Sequence, residues 1–139
     1  MKKCILSIVL ALGFLSSNGQ KTESVRQVLI NQLTEWNKGS IDGFMDGYWN
    51  NDSLQFLTSK GITYGWKNVT NNYKTSYPTK EEMGNLSFEI LSEKQLDKNH
   101  VSIIGKWLVE DSEGKSGGYF TLLFKKIDGK WKIILDHTS

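Results

Sequence analysis

The sequence predicts an α+β domain, with N-terminal helices packed on one face of a curved antiparallel sheet. Three observations predict it. Apolar residues recur mainly at helical spacing between Val25 and Trp49. From Leu86 onward they follow the two-residue alternation of strands. Between these halves lie two short extended segments, bounded by turn residues, and one more helical segment.

Ser24-Val25-Arg26-Gln27 reads as a capping box, because a serine hydroxyl and a side chain three residues on can satisfy free backbone N–H groups. Val25, Val28, Leu29, Leu33 and Trp36 then form one apolar stripe, and Gly39 stops the helix. Ser40 caps a second, short helix with Ile41, Phe44, Met45, Tyr48 and Trp49 on one face. Asn50-Asn51-Asp52 is a turn, Leu54 to Thr58 a strand, and Ser59-Lys60-Gly61 a second turn. Ile62, Tyr64 and Trp66 alternate as in a strand, and Lys67 to Tyr77 forms a third helix before Pro78.

The second half reads as a meander. Leu86 to Leu96 pairs with Val101 to Val109, with Ile90 opposite Trp107, Phe88 opposite Val109 and Leu96 opposite Val101. Glu110 to Gly118 reads as a polar loop, followed by a strand from Tyr119 to Ile127. Asp128-Gly129 is a tight hairpin signal. A regular hairpin sets Phe124 against Ile133, Leu122 against Leu135 and Phe120 against His137. His137 then closes an apolar face, while Asp136 faces away from it, could orient it only across a bulge, and reads as a structural or dimer-interface residue.

The 139-residue chain opens with Lys2-Lys3 and an apolar run from Ile5 to Leu15, ending near Ser17-Asn18-Gly19. This is the pattern of a secretory signal peptide over residues 1–19, leaving one domain at 20–139 and an exported protein, periplasmic or secreted. Cys4 precedes the apolar run, so no lipoprotein cysteine follows it, and no stable membrane anchor is expected after cleavage. Lys2 and Lys3 are two of the 17 basic residues, so the remainder carries 15 of each sign, and no basic patch argues for nucleic acid. No cysteine remains for a disulfide, thiol nucleophile or Cys-type zinc site. His100 and His137 are far apart in sequence and no metal site is expected. Phosphate-cradling and dinucleotide fingerprints are absent, and no cofactor is expected.

The order of these pieces resembles the nuclear transport factor 2-like superfamily, and within it the SnoaL-like and ketosteroid isomerase-like group. The resemblance runs from Val25 to Ser139. Its carriers are Tyr48-Trp49-Asn50-Asn51-Asp52, Phe56, Gly65-Trp66-Lys67-Asn68-Val69 with Tyr73, Asp128-Gly129-Lys130-Trp131-Lys132-Ile133 and Asp136-His137-Thr138-Ser139. It implies a conical, cystatin-like α+β fold with a deep pocket and a homodimer formed through the outer sheet face. It does not select an activity.

His137 is the leading candidate, as a general acid/base or polar group at the pocket floor, against a fixed core histidine. Tyr64 and Tyr73 are candidate proton donors. Trp49, Trp66, Trp107 and Phe120 are candidate ligand-binding rings, against ordinary core packing. Asp52 reads first as a turn residue, and Glu89 as a partner of Lys106. Isomerase chemistry of the ketosteroid type needs a carboxylate in an apolar pocket. In the regular registers the apolar faces carry none. The expected function is therefore binding of a small hydrophobic or aromatic molecule. The alternatives are an isomerase-, cyclase- or dehydratase-type enzyme using His137, and a dimeric interaction module.

Overall fold

The computed structural model describes residues 23–139. The expected signal peptide at 1–19, with Cys4, lies outside the described residues. Helix α1 spans Val25–Asn37, and Ser24 caps it by accepting from Gln27 N. Its stripe of Val25, Val28, Leu29 and Trp36 is buried. Helix α2 spans Ile41–Met45, where Ser40 accepts from Gly43 N. Both caps satisfy N–H groups that the first helical turn leaves unpaired.

Strands β1 (Gln55–Thr58) and β2 (Gly61–Tyr64) form a hairpin that leads into α3 (Trp66–Ser76). A four-residue helix α4 (Lys80–Met83) follows, which the sequence pattern does not reveal. Thr79 caps it through a bond from Glu82 N. The long strands are β3 (Asn85–Asp97), β4 (His100–Asp111), β5 (Gly114–Ile127) and β6 (Lys130–Thr138). The six strands form one curved, unclosed sheet in the order β2-β1-β6-β5-β4-β3. All neighbours are antiparallel except β1 and β6, which run parallel.

The core lies between the helices and the inner sheet face, where Val101, Ile103, Val109, Phe120, Leu122, Phe124 and Ile133 are buried. Apolar surface removed from water at these positions stabilises the fold by about 25 cal/mol per Å².

Three features differ from the regular expectation. Residues 110–118 are not a loop: β4 turns into β5 between Asp111 and Gly114, and Lys115 to Gly118 pair along β4. Strands β3 and β4 pair Phe88 with Trp107 and Leu86 with Val109, after two irregularities between Ile90 and Asp97. Each irregularity shifts the pairing by one residue, so the far end is displaced by two and keeps its faces.

The third difference decides the site. The turn after β5 is tight, with positive φ at Asp128 and Gly129. Phe124 opposes Ile133 as expected. A bulge then follows, so Leu123 opposes Leu135, Leu122 opposes Asp136 and Thr121 opposes His137. One extra residue in one strand reverses the faces of everything beyond it. Asp136 therefore points inward and is 3% exposed, while His137 lies on the outer face and is exposed.

Candidate functional site

A cavity of about 520 Å³ opens between the inner sheet face and the helices. The helices bring aromatic rings to it. Trp36 of α1 meets Phe44 of α2 edge-on at 5.1 Å and Tyr77 at 4.9 Å. Its indole N–H donates to Met83 O at 2.9 Å, which fixes the ring. Tyr73 of α3 meets Phe44 at 5.3 Å and Phe56 of β1 at 5.7 Å. These edge-to-face contacts are the favoured geometry for ring quadrupoles. Across the cavity the sheet contributes Phe88, Trp107 and Phe120, with Phe88 and Phe120 5.3 Å apart. The β1–β2 hairpin and the outward side of α3 give a polar rim that includes Lys60, Thr63 and Asn72.

Asp136 stands within this apolar wall. Its Oδ2 accepts from the Tyr48 hydroxyl at 2.7 Å, and its Oδ1 from the Thr138 hydroxyl at 2.6 Å. Tyr48 is held just beyond α2, where it bridges to Ile133 of β6. Burial pushes the Asp136 carboxyl up from its ordinary 3.8 to about 6, opposed by the bonds from Thr138 and Tyr48 and by nearby His137. Burial also raises the Tyr48 hydroxyl, and the charge of Asp136 raises it further. Tyr73 is raised mainly by burial and then by Asp136. Both phenols thus stay protonated at neutral pH as donors. Gln32 is also buried at the cavity, with its amide N–H bonded to Phe44 O at 3.1 Å.

The candidates from sequence divide into three groups. Tyr73, Trp107 and Phe120 line the cavity. Trp49 and Trp66 are half-buried and line a separate cleft on the other side of α2, beside Asp46 and Lys132. The Trp66 indole there donates to Met45 O at 3.0 Å. Tyr64 and His137 line neither; Tyr64 is 53% exposed. The expectation that the apolar sheet face carries no carboxylate is corrected by Asp136. Regular alternation hid it, and the only sequence hint is the hydroxyl of Thr138 two residues on. Trp36 and Tyr77 are further cavity rings; Trp36 reads in sequence as core alone, and Tyr77 as the end of a helix. Glu89 does pair with Lys106 in the β3–β4 register, at 3.9 Å. Among the described residues no group of three or more His, Cys, Asp or Glu is arranged to hold a metal ion.

No protein-family model matches the chain, and no curated protein matches it. Solved structures do. A nuclear transport factor 2-like protein of unknown function from Shewanella oneidensis MR-1 is 36% identical, covering 83% of this chain and 95% of that one, with a TM-score of 0.81. A domain with a cystatin-like fold from Nostoc punctiforme is 17% identical over 83% of this chain and 74% of its own, with a TM-score of 0.70. A ketosteroid isomerase-like protein from Erwinia carotovora atroseptica is 14% identical over 87% and 96%, with a TM-score of 0.64. The last two share the fold alone. With the six-stranded curved sheet, the helices on its inner face and the identity to the Shewanella protein over nearly its whole length, the chain belongs to the nuclear transport factor 2-like family.

Proposed function

We propose that this protein is exported and works as a homodimer that holds a small hydrophobic or aromatic molecule in the cavity above Asp136. The observation that carries the reading is the cavity: about 520 Å³, walled by aromatic rings and holding one buried carboxylate. Pockets of this size with few polar groups suit small organic ligands. Export is supported by the basic and apolar pattern of residues 1–19. Dimerisation is supported by the outer sheet face, where Ile104 and Tyr119 are 43% and 56% exposed. Ile104, Thr121, His137 and Leu57 form one row across it.

Native mass spectrometry of the protein from its own host tests the reading. A bound small mass that disappears in Tyr73→Ala, with the fold intact by circular dichroism, supports it. A folded protein that retains no mass and binds nothing from an extract of its host overturns it. Ile104→Lys should convert the dimer to monomer by light scattering.

A second reading has its own observation. Asp136 titrates near 6 beside two protonated phenols, which suits abstraction of a proton from a bound carbon acid. In this reading Asp136 takes the role that regular alternation gives to His137, and Tyr48 or Tyr73 serves as donor. Exchange of ligand protons in D₂O should then depend on pH near 6 and vanish in Asp136→Asn. Exchange unchanged in that variant would exclude it. The open cavity lends no support to a module filled by its own side chains.

A further inference from the structure

The pocket reading above leaves the chemistry of the ligand open, and the charges that face the cavity narrow it. Among the described residues only two charged side chains line it, Lys60 and Asp136. Lys60 is exposed at the tip of the β1–β2 hairpin, on the rim. Asp136 is deep, and its partners are two neutral hydroxyls. No lysine or arginine reaches the wall from α1, α2, α3 or the inner sheet face. The net charge facing the deep half of the cavity is therefore negative.

A carboxylate has about four acceptor positions. Tyr48 and Thr138 fill one on each oxygen, and Asp136 lines the cavity with others left over. His137, on the outer face, acts on it without a bond; a buried carboxylate with no bonded cation is costly to keep, and donors with positive charge satisfy it best. The surrounding walls are aromatic. Phe44, Phe56 and Tyr73 stand together around this end of the cavity, and ring faces attract cations and repel anions. An anionic ligand would meet both the carboxylate and the ring faces. A metal ion would find one carboxylate where it needs several ligands.

Resting on the pocket reading, we infer that the ligand is a small organic cation: a protonated amine on an aromatic or alicyclic body, with its ammonium group on Asp136 and its apolar body against the rings. This differs from binding of any apolar molecule, because it ranks charge types of one shape. It assigns Asp136 as the residue that sets that ranking, and Lys60 as a deterrent to a second positive charge at the rim.

The experiment is titration calorimetry of the purified protein at pH 7.5 with matched sets of benzyl, phenylethyl, cyclohexylmethyl and naphthylmethyl compounds, each as amine, alcohol and carboxylate. The amine of the best-fitting shape should bind at least tenfold more tightly than its alcohol, and the carboxylate should not bind. Asp136→Asn should erase the preference for the amine, bringing it to the level of the alcohol, with the fold intact by circular dichroism, which separates loss of charge recognition from loss of the fold. Alcohols that bind as tightly as amines would overturn the cation inference and leave the pocket reading standing. The same follows if Asp136→Asn keeps the preference for amines. Failure of all shapes and charges to bind the folded protein would overturn both.

Discussion

The Tyr48 hydroxyl donates to Asp136 Oδ2 at 2.7 Å across 88 positions of sequence, and both groups are buried. The bond ties the segment after α2 to the end of β6, and it stabilises the ionised carboxyl more than the neutral one.

Tyr48→Phe removes that donor while keeping the ring. A hydrogen bond to a charged group is worth about 1.5–3 kcal/mol. The variant should therefore be less stable by about 2 kcal/mol at pH 8, where Asp136 is ionised. The loss should shrink at pH 4, below the folded-state value of about 6, where only a neutral hydrogen bond is lost. Urea denaturation at the two pH values checks this. An equal loss at both would mean that Tyr48 acts through packing alone.

Asp136→Asn should behave in the opposite sense. Burial raises this carboxyl from 3.8 to about 6 in the folded protein. The unfolded chain releases the proton first as pH rises, so ionisation costs stability between these values and the full cost is present above pH 6. The size is about 3 kcal/mol. Asparagine carries no charge and keeps one acceptor for Tyr48 or Thr138, while its N–H groups can donate to the other hydroxyl. The variant should be more stable than the parent above pH 6 and equal to it below pH 4. A variant less stable at every pH would show that the carboxylate is a structural partner rather than a strained one.

The sequence carries the caps and helix faces openly because Ser24, Ser40 and the apolar stripe act within a few residues of each other. It carries the Asp128-Gly129 turn for the same reason, since both residues adopt positive φ. The bulge in β6 has no such local cause. The strand changes partners along its length. Ile133 N donates to Gly47 O, and Trp49 N donates to Ile133 O, both at 2.9 Å. Two residues later Leu135 is already in register with Gln55 of β1. Ile134 lies where one pairing gives way to the other, and no pattern within β6 records that. The β3–β4 register was illegible for a different reason. A slip of two residues preserves faces, so apolar residues still meet apolar ones in either register. The four residues of α4 are too few to show a period.

His137→Ala tests the consequence of the bulge. His137 is exposed on the outer face, in register with Thr121 and Leu57. In the protomer an exposed substitution of this kind changes stability by about 0.5 kcal/mol or less, so a larger loss would report on the proposed dimer face. Ligand occupancy of the cavity should be unchanged in His137→Ala. A loss of occupancy, with the dimer intact, would mean that the strand rotates to bring the histidine inward.

Gly105→Ala tests the shape of the cavity wall. Gly105 sits on the inner face between Ile90 and Phe120 in the pairing of β3, β4 and β5. A methyl group there would meet Phe120 Cζ at 2.4 Å and Glu89 O at 2.7 Å. The ring can turn, but the backbone oxygen belongs to a paired strand and yields only if β3 moves. Overpacking of this kind costs about 1–3 kcal/mol. Turning Phe120 also breaks its edge-on contact with Phe88 at 5.3 Å and pushes it toward the cavity. Gly105→Ala should therefore lower Tm and weaken the bulkiest ligands of a series before the smallest. A variant with unchanged Tm and equal losses across the series would show that Phe120 is not what limits the space.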